Sequence, residues 1–319
     1  METTIKLEQR AGNGDADSLF RLGYRIAFGR PYRGKRDWRR VVRLWSASAR
    51  KGHERAQFYL GTCYDSGLGV RKDVVTAIKW YRMAANQAHV VAQYNLGFSY
   101  REGCGVSRDR RKAVSWFRRA AARGNPDAQR DLAHALFHGE GARTSRRDAV
   151  RWYRRAAEQG DAKAQFNLAL CYREGHGVRK SHGRSIHWFE KAIAQGHAGA
   201  MRELGYSCQL GHGVPRSDSE AFKWFRKAAV QGDPEAQGQL GVFHHEGLGT
   251  RKNLRTAAKW YRRGAHGGDG WAQYCLGLCH RDGEGVRRSR TEAIRWLERA
   301  MKNGVEIAKS ALADLRAST

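Results

Sequence analysis

The stretch from Ala92 to Asp127, AQYNLGFSYREGCGVSRDRRKAVSWFRRAAARGNPD, decides the fold because it recurs along the chain. The alanine that opens it returns every 36 residues from Ala56 to Ala308, and the leucine four places later returns with the same spacing. Seven copies follow one another without an insertion or deletion. Self-similarity at a fixed period of this length predicts a stack of repeated units in which each unit contacts its neighbours.

The first part of each unit has the pattern of a helix. Ala92, Leu96 and Tyr100 share one face of a helix with 3.6 residues per turn. Gly103 and Gly105 then follow, and glycine holds both positions in all seven copies. Glycine at a chain reversal indicates backbone with positive φ, so these positions predict the end of the first helix.

The second part of each unit begins with a residue that can cap a helix, because its side chain accepts a hydrogen bond from a free backbone N–H. This position holds Asp73, Asp109, Ser145, Ser181, Ser217, Asn253 and Ser289. The inner face of the helix then has Ala113, Trp116, Phe117 and Ala120. We expect the recurring tryptophan to be buried in the core, at Trp80, Trp116, Trp152, Trp188, Trp224, Trp260 and Trp296.

These residues resemble the Sel-one-like repeat family, a relative of the tetratricopeptide repeat. Its pattern is A-x-x-x-L-G-x-x-Y-x-x-G-x-G-V-x-x-D-x-x-x-A-x-x-W-Y-x-x-A-A-x-x-G. The matching residues of one unit are Ala92, Leu96, Gly97, Tyr100, Gly103, Gly105, Val106, Asp109, Ala113, Trp116, Phe117, Ala120, Ala121 and Gly124. The resemblance implies an all-α fold, a right-handed α-solenoid of antiparallel helix pairs with a 36-residue repeat. It also implies a role in protein–protein contact and complex assembly.

The repeat predicts one elongated domain rather than the two globular domains that 319 residues would allow. We expect residues 1–17 to form an N-terminal half-repeat cap and residues 18–55 an irregular first repeat. Trp45 matches the recurring tryptophan, so the loop of that repeat, which is basic and contains Tyr32, is three residues longer than in the other repeats. Residues 56–307 hold seven regular repeats, and residues 308–319 a C-terminal capping helix.

Nothing in the sequence indicates a membrane span or a secretory signal. No run of 18 apolar residues occurs, and the N-terminus lacks an apolar signal core. The six cysteines do not form a paired framework, which favours free thiols in a reducing compartment. We therefore expect an intracellular protein, in the cytoplasm, and a monomer.

Function is expected at positions that differ between copies, because the positions shared by all copies carry the fold. Three variable positions of the first helix share one face and hold many aromatic and arginine side chains, which is the composition of binding hot spots. The first hypothesis is therefore a non-catalytic scaffold that binds other proteins, including acidic ones, in a groove. Alternatively, these apolar groups pack between neighbouring first helices. The candidates are Phe58, Tyr94, Phe98, Arg101, Arg130, Phe166, Arg173, Arg202, Tyr206, Tyr274 and Arg281.

The second helix carries a ladder of basic residues, and the chain has a net charge of +28. Their spacing of three and four residues predicts a stripe on the face opposite the tryptophan. Such a stripe could bind nucleic acid or another polyanion, or it is a solvated outer face that keeps the protein in solution. Its members are Arg82, Arg118, Arg119, Arg154, Arg155, Arg226, Lys227, Arg262, Arg263 and Arg299.

Motifs of catalysis, cofactor binding and metal binding are absent from the sequence. The recurring Gly-x-Gly joins two helices rather than a strand and a helix, so it does not indicate a nucleotide site. Cys275 and Cys279 share a helical face, but no second pair completes the four ligands of a zinc site. We expect no enzymatic activity, no cofactor and no metal.

Overall fold

The computed structural model describes residues 4–29 and 36–317, and the regular secondary structure of these residues is helical throughout. Tyr32 and the rest of the basic loop at 30–35 lie outside the described residues. The helices are α1 (Thr4–Gly12), α2 (Ala16–Phe28), α3 (Trp38–Arg50), α4 (Glu54–Ser66), α5 (Val74–Asn86), α6 (Val90–Glu102), α7 (Arg110–Ala122), α8 (Pro126–His138), α9 (Arg146–Glu158), α10 (Ala162–Glu174), α11 (His182–Ala194), α12 (Ala198–Leu210), α13 (Asp218–Val230), α14 (Pro234–Glu246), α15 (Leu254–His266), α16 (Gly270–Asp282), α17 (Arg290–Lys302) and α18 (Ile307–Ala317).

The helices form two units, Met1–Gln159 and Gly160–Thr319. In each unit every helix packs against the helices before and after it in the chain. We call the even-numbered helices α2 to α16 the first helices and the odd-numbered helices α3 to α17 the second helices. The predicted all-α solenoid of helix pairs with a 36-residue repeat is confirmed.

The predicted caps of the second helices are confirmed in all seven regular repeats. Asp109, for example, accepts a hydrogen bond of 2.9 Å from the backbone N–H of Lys112. The first helices have caps as well, which the sequence pattern did not reveal. The cap of α6 is His89, whose Nδ1 accepts from the backbone N–H of Ala92 at 3.2 Å. His53 and His197 cap their helices in the same way.

Each of the two loop glycines has its own structural reason. Gly139 ends α8 in the left-handed conformation, with φ of 77°. Gly141 also has positive φ, and a Cβ atom at this residue would lie 2.3 Å from the carbonyl oxygen of Arg110 in the preceding second helix. The first glycine therefore reverses the chain, whereas the second also allows close packing of successive repeats.

The expected burial of the recurring tryptophan is wrong for six of its seven copies, which are half-buried. Trp296 alone of the seven is buried. The next residue fills the core instead: Phe117 is fully buried, with its ring against Gly97 of α6. Neighbouring residues of a helix point about 100° apart, so Trp116 and Phe117 cannot both face the same partner helix.

The first repeat follows the same rule, which corrects its alignment. Trp45 packs against Gly23 as Phe117 packs against Gly97, and is itself fully buried. Trp45 therefore corresponds to Phe117 and not to the recurring tryptophan. The loop of this repeat is thus two residues longer than in the other repeats, rather than three, as the starts of α2 and α4 also show.

No helix in the described ranges combines the length and the apolar character that crossing a membrane requires.

Candidate functional site

We call one side of the first helices the first-helix face. It holds the variable positions of Phe58, Tyr94 and Phe98 and their counterparts, together with the aromatic side chains that contact them on the same helix. Phe58 is half-buried there because the imidazole of His89 stacks on it, with ring centroids 4.4 Å apart. Phe166 and His197 repeat this contact in the other unit at 4.6 Å. Phe58 therefore links α4 to the cap of α6, and Phe166 links α10 to the cap of α12.

Three candidate residues of the N-terminal unit converge on Asp131 of α8, whose exposed fraction is 9%. Arg101 donates to its carboxylate at 2.9 Å, Arg130 at 3.1 Å and the hydroxyl of Tyr94 at 3.3 Å. Burial, and next the charge of Asp131, raise the pKa of Tyr94 to about 12. These contacts neutralise a buried carboxylate and connect α6 to α8.

A similar network joins three first helices of the C-terminal unit. Arg173 of α10 pairs with Glu203 of α12. Arg202 pairs with Glu203 at 3.1 Å and with Asp233, the cap of α14, at 2.9 Å. The hydroxyl of Tyr206 donates to Glu235 of α14 at 2.9 Å, and burial raises its pKa, followed by the charge of Glu235.

These contacts support the alternative interpretation for part of the candidate set, namely packing between neighbouring first helices. The two networks engage Tyr94, Arg101 and Arg130 in one unit, and Arg173, Arg202 and Tyr206 in the other. Tyr274 is half-buried with its ring centroid 5.3 Å from that of Trp271, and Arg281 pairs with Asp282 at 2.8 Å.

The aromatic side chains that stay exposed form a smaller set. Phe98 is 40% exposed, with the guanidinium of Arg101 5.0 Å from its ring centroid. Among the described Phe, Tyr and Trp residues, the others classed as exposed are Tyr24 and Phe28 on α2, and Trp271 on α16. All four lie on first helices.

Sequence reasoning missed Tyr24 and Phe28 because their repeat is irregular. A signal was available, since aligning Leu22-Gly23 with Leu60-Gly61 places Phe20 and Tyr24 where Phe58 and Thr62 stand. Trp271 was missed because it lies at the first turn of its helix, outside the three positions compared between copies.

Five of the ten stripe residues do not lie opposite the tryptophans as expected. They lie over the tryptophan three residues earlier, because residues at this spacing are neighbours on a helix. The charge-to-centroid distances run from 3.9 Å for Lys227 to 4.8 Å for Arg299. The pairs are Arg119 on Trp116, Arg155 on Trp152, Lys227 on Trp224, Arg263 on Trp260 and Arg299 on Trp296.

These cation–π contacts give the ladder a structural role, since they cover half-buried indole rings with charged groups that face water. The other five members of the stripe lie two residues after the tryptophan, one residue before the position of the cation–π contact. Arg82 donates to the hydroxyl of Tyr100 at 3.1 Å, whereas Arg118, Arg226 and Arg262 are exposed. Arg154 is half-buried.

Metal binding finds no support among the residues that the structure describes, because no three His, Cys, Asp or Glu side chains there are grouped to hold an ion. Cys279 is buried and Cys275 half-buried, and burial raises the pKa of both thiols to about 12. Thiols of this kind are neutral core groups rather than nucleophiles.

Comparison with known proteins agrees with the fold. The family model described as the Sel1 repeat matches residues 16–53, 54–89, 90–125, 126–161, 162–197, 198–233, 234–269 and 272–305. A Sel1 repeat protein from Oxalobacter formigenes is 35% identical, over 97% of this chain and 89% of that chain, with a TM-score of 0.76. The chain is also similar to c5321, a protective antigen of uropathogenic Escherichia coli with an SLR fold. Identity is 32%, over 99% of this chain and 67% of that chain, with a TM-score of 0.82. No curated protein matches the chain.

Proposed function

Because the chain belongs to the Sel1 repeat family, we propose that it is a non-catalytic scaffold that binds protein partners through its first-helix face. A protein-interaction role is typical of this family.

The observation that carries the proposal is the placement of the exposed aromatic side chains. Tyr24, Phe28, Phe98 and Trp271 are 39–44% exposed, and they are all on first helices. The aromatic residues of the second helices are instead buried or half-buried, and cations of the ladder cover several of the half-buried indole rings. Partly exposed aromatic rings beside arginine are the side chains that most often dominate the energy of protein interfaces.

The repeat frame explains why binding is expected on this face. Caps, loop glycines and core residues are of the same kind from copy to copy, so they fix the spacing of the helices. The first-helix face changes from copy to copy, and it is held in place by ion pairs between neighbouring helices such as Arg101–Asp131. A rigid frame of this kind lowers the entropy that binding must overcome.

The charge of the protein favours acidic partners. A net charge of +28 attracts negatively charged molecules and speeds their encounter at low salt. In this proposal the basic residues of the second helices contribute to that long-range field, and contact itself is made by the first helices.

The proposal is tested by capture of partners from a lysate of the source cells, after nuclease treatment. The test variant replaces the exposed aromatic residues of the first helices by serine: Tyr24→Ser, Phe28→Ser, Phe98→Ser and Trp271→Ser. The matched control replaces exposed apolar residues of second helices in the same way: Val75→Ser, Met83→Ser, Val230→Ser and Met301→Ser.

We expect discrete proteins to be captured by the wild type and by the control variant, and lost with the test variant. Circular dichroism should show equal helix content in all three proteins. Equal capture by the test and control variants would contradict the assignment to the first-helix face. Loss of all partners after nuclease treatment would instead point to nucleic acid as the ligand.

A further inference from the structure

The irregular first repeat contains an open cleft. It lies between α2 and the start of α4 and has a volume of about 350 Å³. The residues that line it are Phe20, Arg21, Tyr24, Arg25, Phe28, Gly29 and Arg55.

The apolar part of the cleft is a group of aromatic rings. Phe20 is buried at its base and stacks on His53, with ring centroids 4.7 Å apart. Tyr24 and Phe28 lie one turn apart with centroids 4.9 Å apart, and both also contact the ring of Tyr59. The cleft therefore offers a firmly supported apolar surface with two exposed rings at its edge.

The charged part of the cleft differs from the rest of the first-helix face. Arg25 and Arg55 have no carboxylate within 4 Å among the described residues, whereas every other described arginine of a first helix has one. The guanidinium of Arg55 lies 5.0 Å from the centroid of Phe20 and 6.0 Å from that of Tyr24. Arg55 is thus held over the rings with its charge uncompensated.

We infer that this cleft binds an acidic peptide segment of a partner protein. A large apolar side chain of the segment lies against Tyr24 and Phe28, and a neighbouring carboxylate pairs with Arg25 and Arg55. The inference rests on the proposed function and names the chemistry of a partner and the place where it binds.

Two physical effects support this occupant over a purely apolar one. Arginine binds a carboxylate through two parallel hydrogen bonds, and such charge-assisted bonds are about twice as strong as neutral ones. Ordering of Arg55 on the aromatic rings before binding reduces the side-chain entropy lost in forming them. An apolar segment without a carboxylate would bury these two arginines without a partner, which is unfavourable.

The experiment selects ligands from a random peptide library displayed on phage, with the full-length protein as bait. The selected peptides are then labelled, and their affinity is measured by fluorescence anisotropy. The test variant is Arg25→Gln with Arg55→Gln, and its control is Arg118→Gln with Arg226→Gln. The control removes the same charge from exposed arginines of second helices.

We expect enrichment of peptides with Asp or Glu within about three residues of Phe, Tyr, Trp or Leu, since this spacing spans about 10 Å of extended chain. The test variant should weaken their binding by about tenfold or more, as loss of a paired charge does. The control variant should change it by less than about twofold, as expected for charges outside the contact.

The inference is overturned if no acidic peptides are enriched, or if both variants weaken binding equally. It is also overturned if replacing the apolar residue of a peptide by alanine leaves its affinity unchanged. Failure here is distinct from failure of the proposed function. Partner proteins that depend on the exposed aromatic residues but not on Arg25 and Arg55 would leave the scaffold proposal intact.

Discussion

The imidazole of His89 lies nearly parallel to the ring of Phe58, with planes 19° apart, while its Nδ1 accepts the backbone N–H of Ala92. One side chain thus caps α6 and also packs on α4 of the preceding repeat. The cap works only when Nδ1 carries no proton, because a protonated nitrogen cannot accept a hydrogen bond. The joint between two repeats is therefore tied to the protonation of one histidine.

This relationship predicts that the protein loses stability in mild acid. Burial lowers the pKa of His89, and the charge of Arg55 lowers it further; burial is also the main cause of the lowered pKa of His197. As the pH falls below about 6.5, the unfolded histidines bind protons that the folded ones do not, so the free energy of unfolding decreases. Urea denaturation midpoints at about pH 7.5 and about pH 5.5, on either side of that value, measure the effect.

A variant with His89→Asn and His197→Asn separates these caps from other titrating groups. Asparagine caps α8 in the native chain, so it should preserve the hydrogen bond without a pKa in this range. Its midpoint should fall less between the two pH values than that of the wild type. An equal fall in both proteins would rule out the two caps as the source.

The second prediction concerns the aromatic pair in the second helix α7. Phe117→Ala should lower the free energy of unfolding by about 3–5 kcal/mol, as truncation of a fully buried ring does. Trp116→Ala should lower it by about 1–3 kcal/mol, since the indole is half-buried and loses one contact with Arg119. Denaturant unfolding of the two variants gives the comparison. A larger loss for Trp116→Ala would show that the core is assigned to the wrong residue.

The third prediction concerns the ion pair between Arg101 and Asp131. A double-mutant cycle with Arg101→Gln and Asp131→Asn should give a coupling of about 0.5–3 kcal/mol, because Asp131 is almost fully buried. The exposed pair Arg151–Asp148 should give at most about 0.5 kcal/mol in the matching cycle. A higher salt concentration should change the Arg151–Asp148 coupling more than the Arg101–Asp131 coupling, because salt screens exposed charges more strongly. Equal couplings would mean that Arg101 contributes only as a surface charge.

The fourth prediction separates two glycines with positive φ. Gly124→Ala places a Cβ in open space, so it should cost about 1–2 kcal/mol for the left-handed backbone alone. Gly141→Ala meets the carbonyl oxygen of Arg110 as well, and its loss should be clearly larger. Thermal unfolding of both variants tests this order. Equal losses would show that the repeats can separate slightly without penalty.

Much of the fold could be predicted from the sequence because it depends on local rules that recur. The helix period, the caps such as Asp109 and the glycines at 103 and 105 act within a few residues, and each copy confirms the others. The error on Trp116 arose because periodicity places two neighbouring aromatic residues near the core but does not decide which one enters it. That choice depends on Gly97, which lies in another helix.

The candidate site was harder to predict because its contacts join residues about 30 positions apart. Phe58 and Arg101 were candidates for partner binding, and the structure pairs them with His89 and Asp131 of the next repeat. Tyr24 and Phe28 were not among the candidates because the irregular first repeat was left out of the comparison between copies. Variation between copies predicts the first-helix face, but the exposure of each side chain on it depends on the residue that it meets in the neighbouring first helix.

Site-specific photo-crosslinking measures whether the first-helix face contacts a partner protein. A benzoylphenylalanine replaces Phe98 on first helix α6 or, as a control, Met83 on second helix α5; these residues are 40% and 45% exposed. We expect discrete protein adducts at position 98 in the source cells and few or none at position 83. Adducts at position 83 with none at position 98 would contradict it.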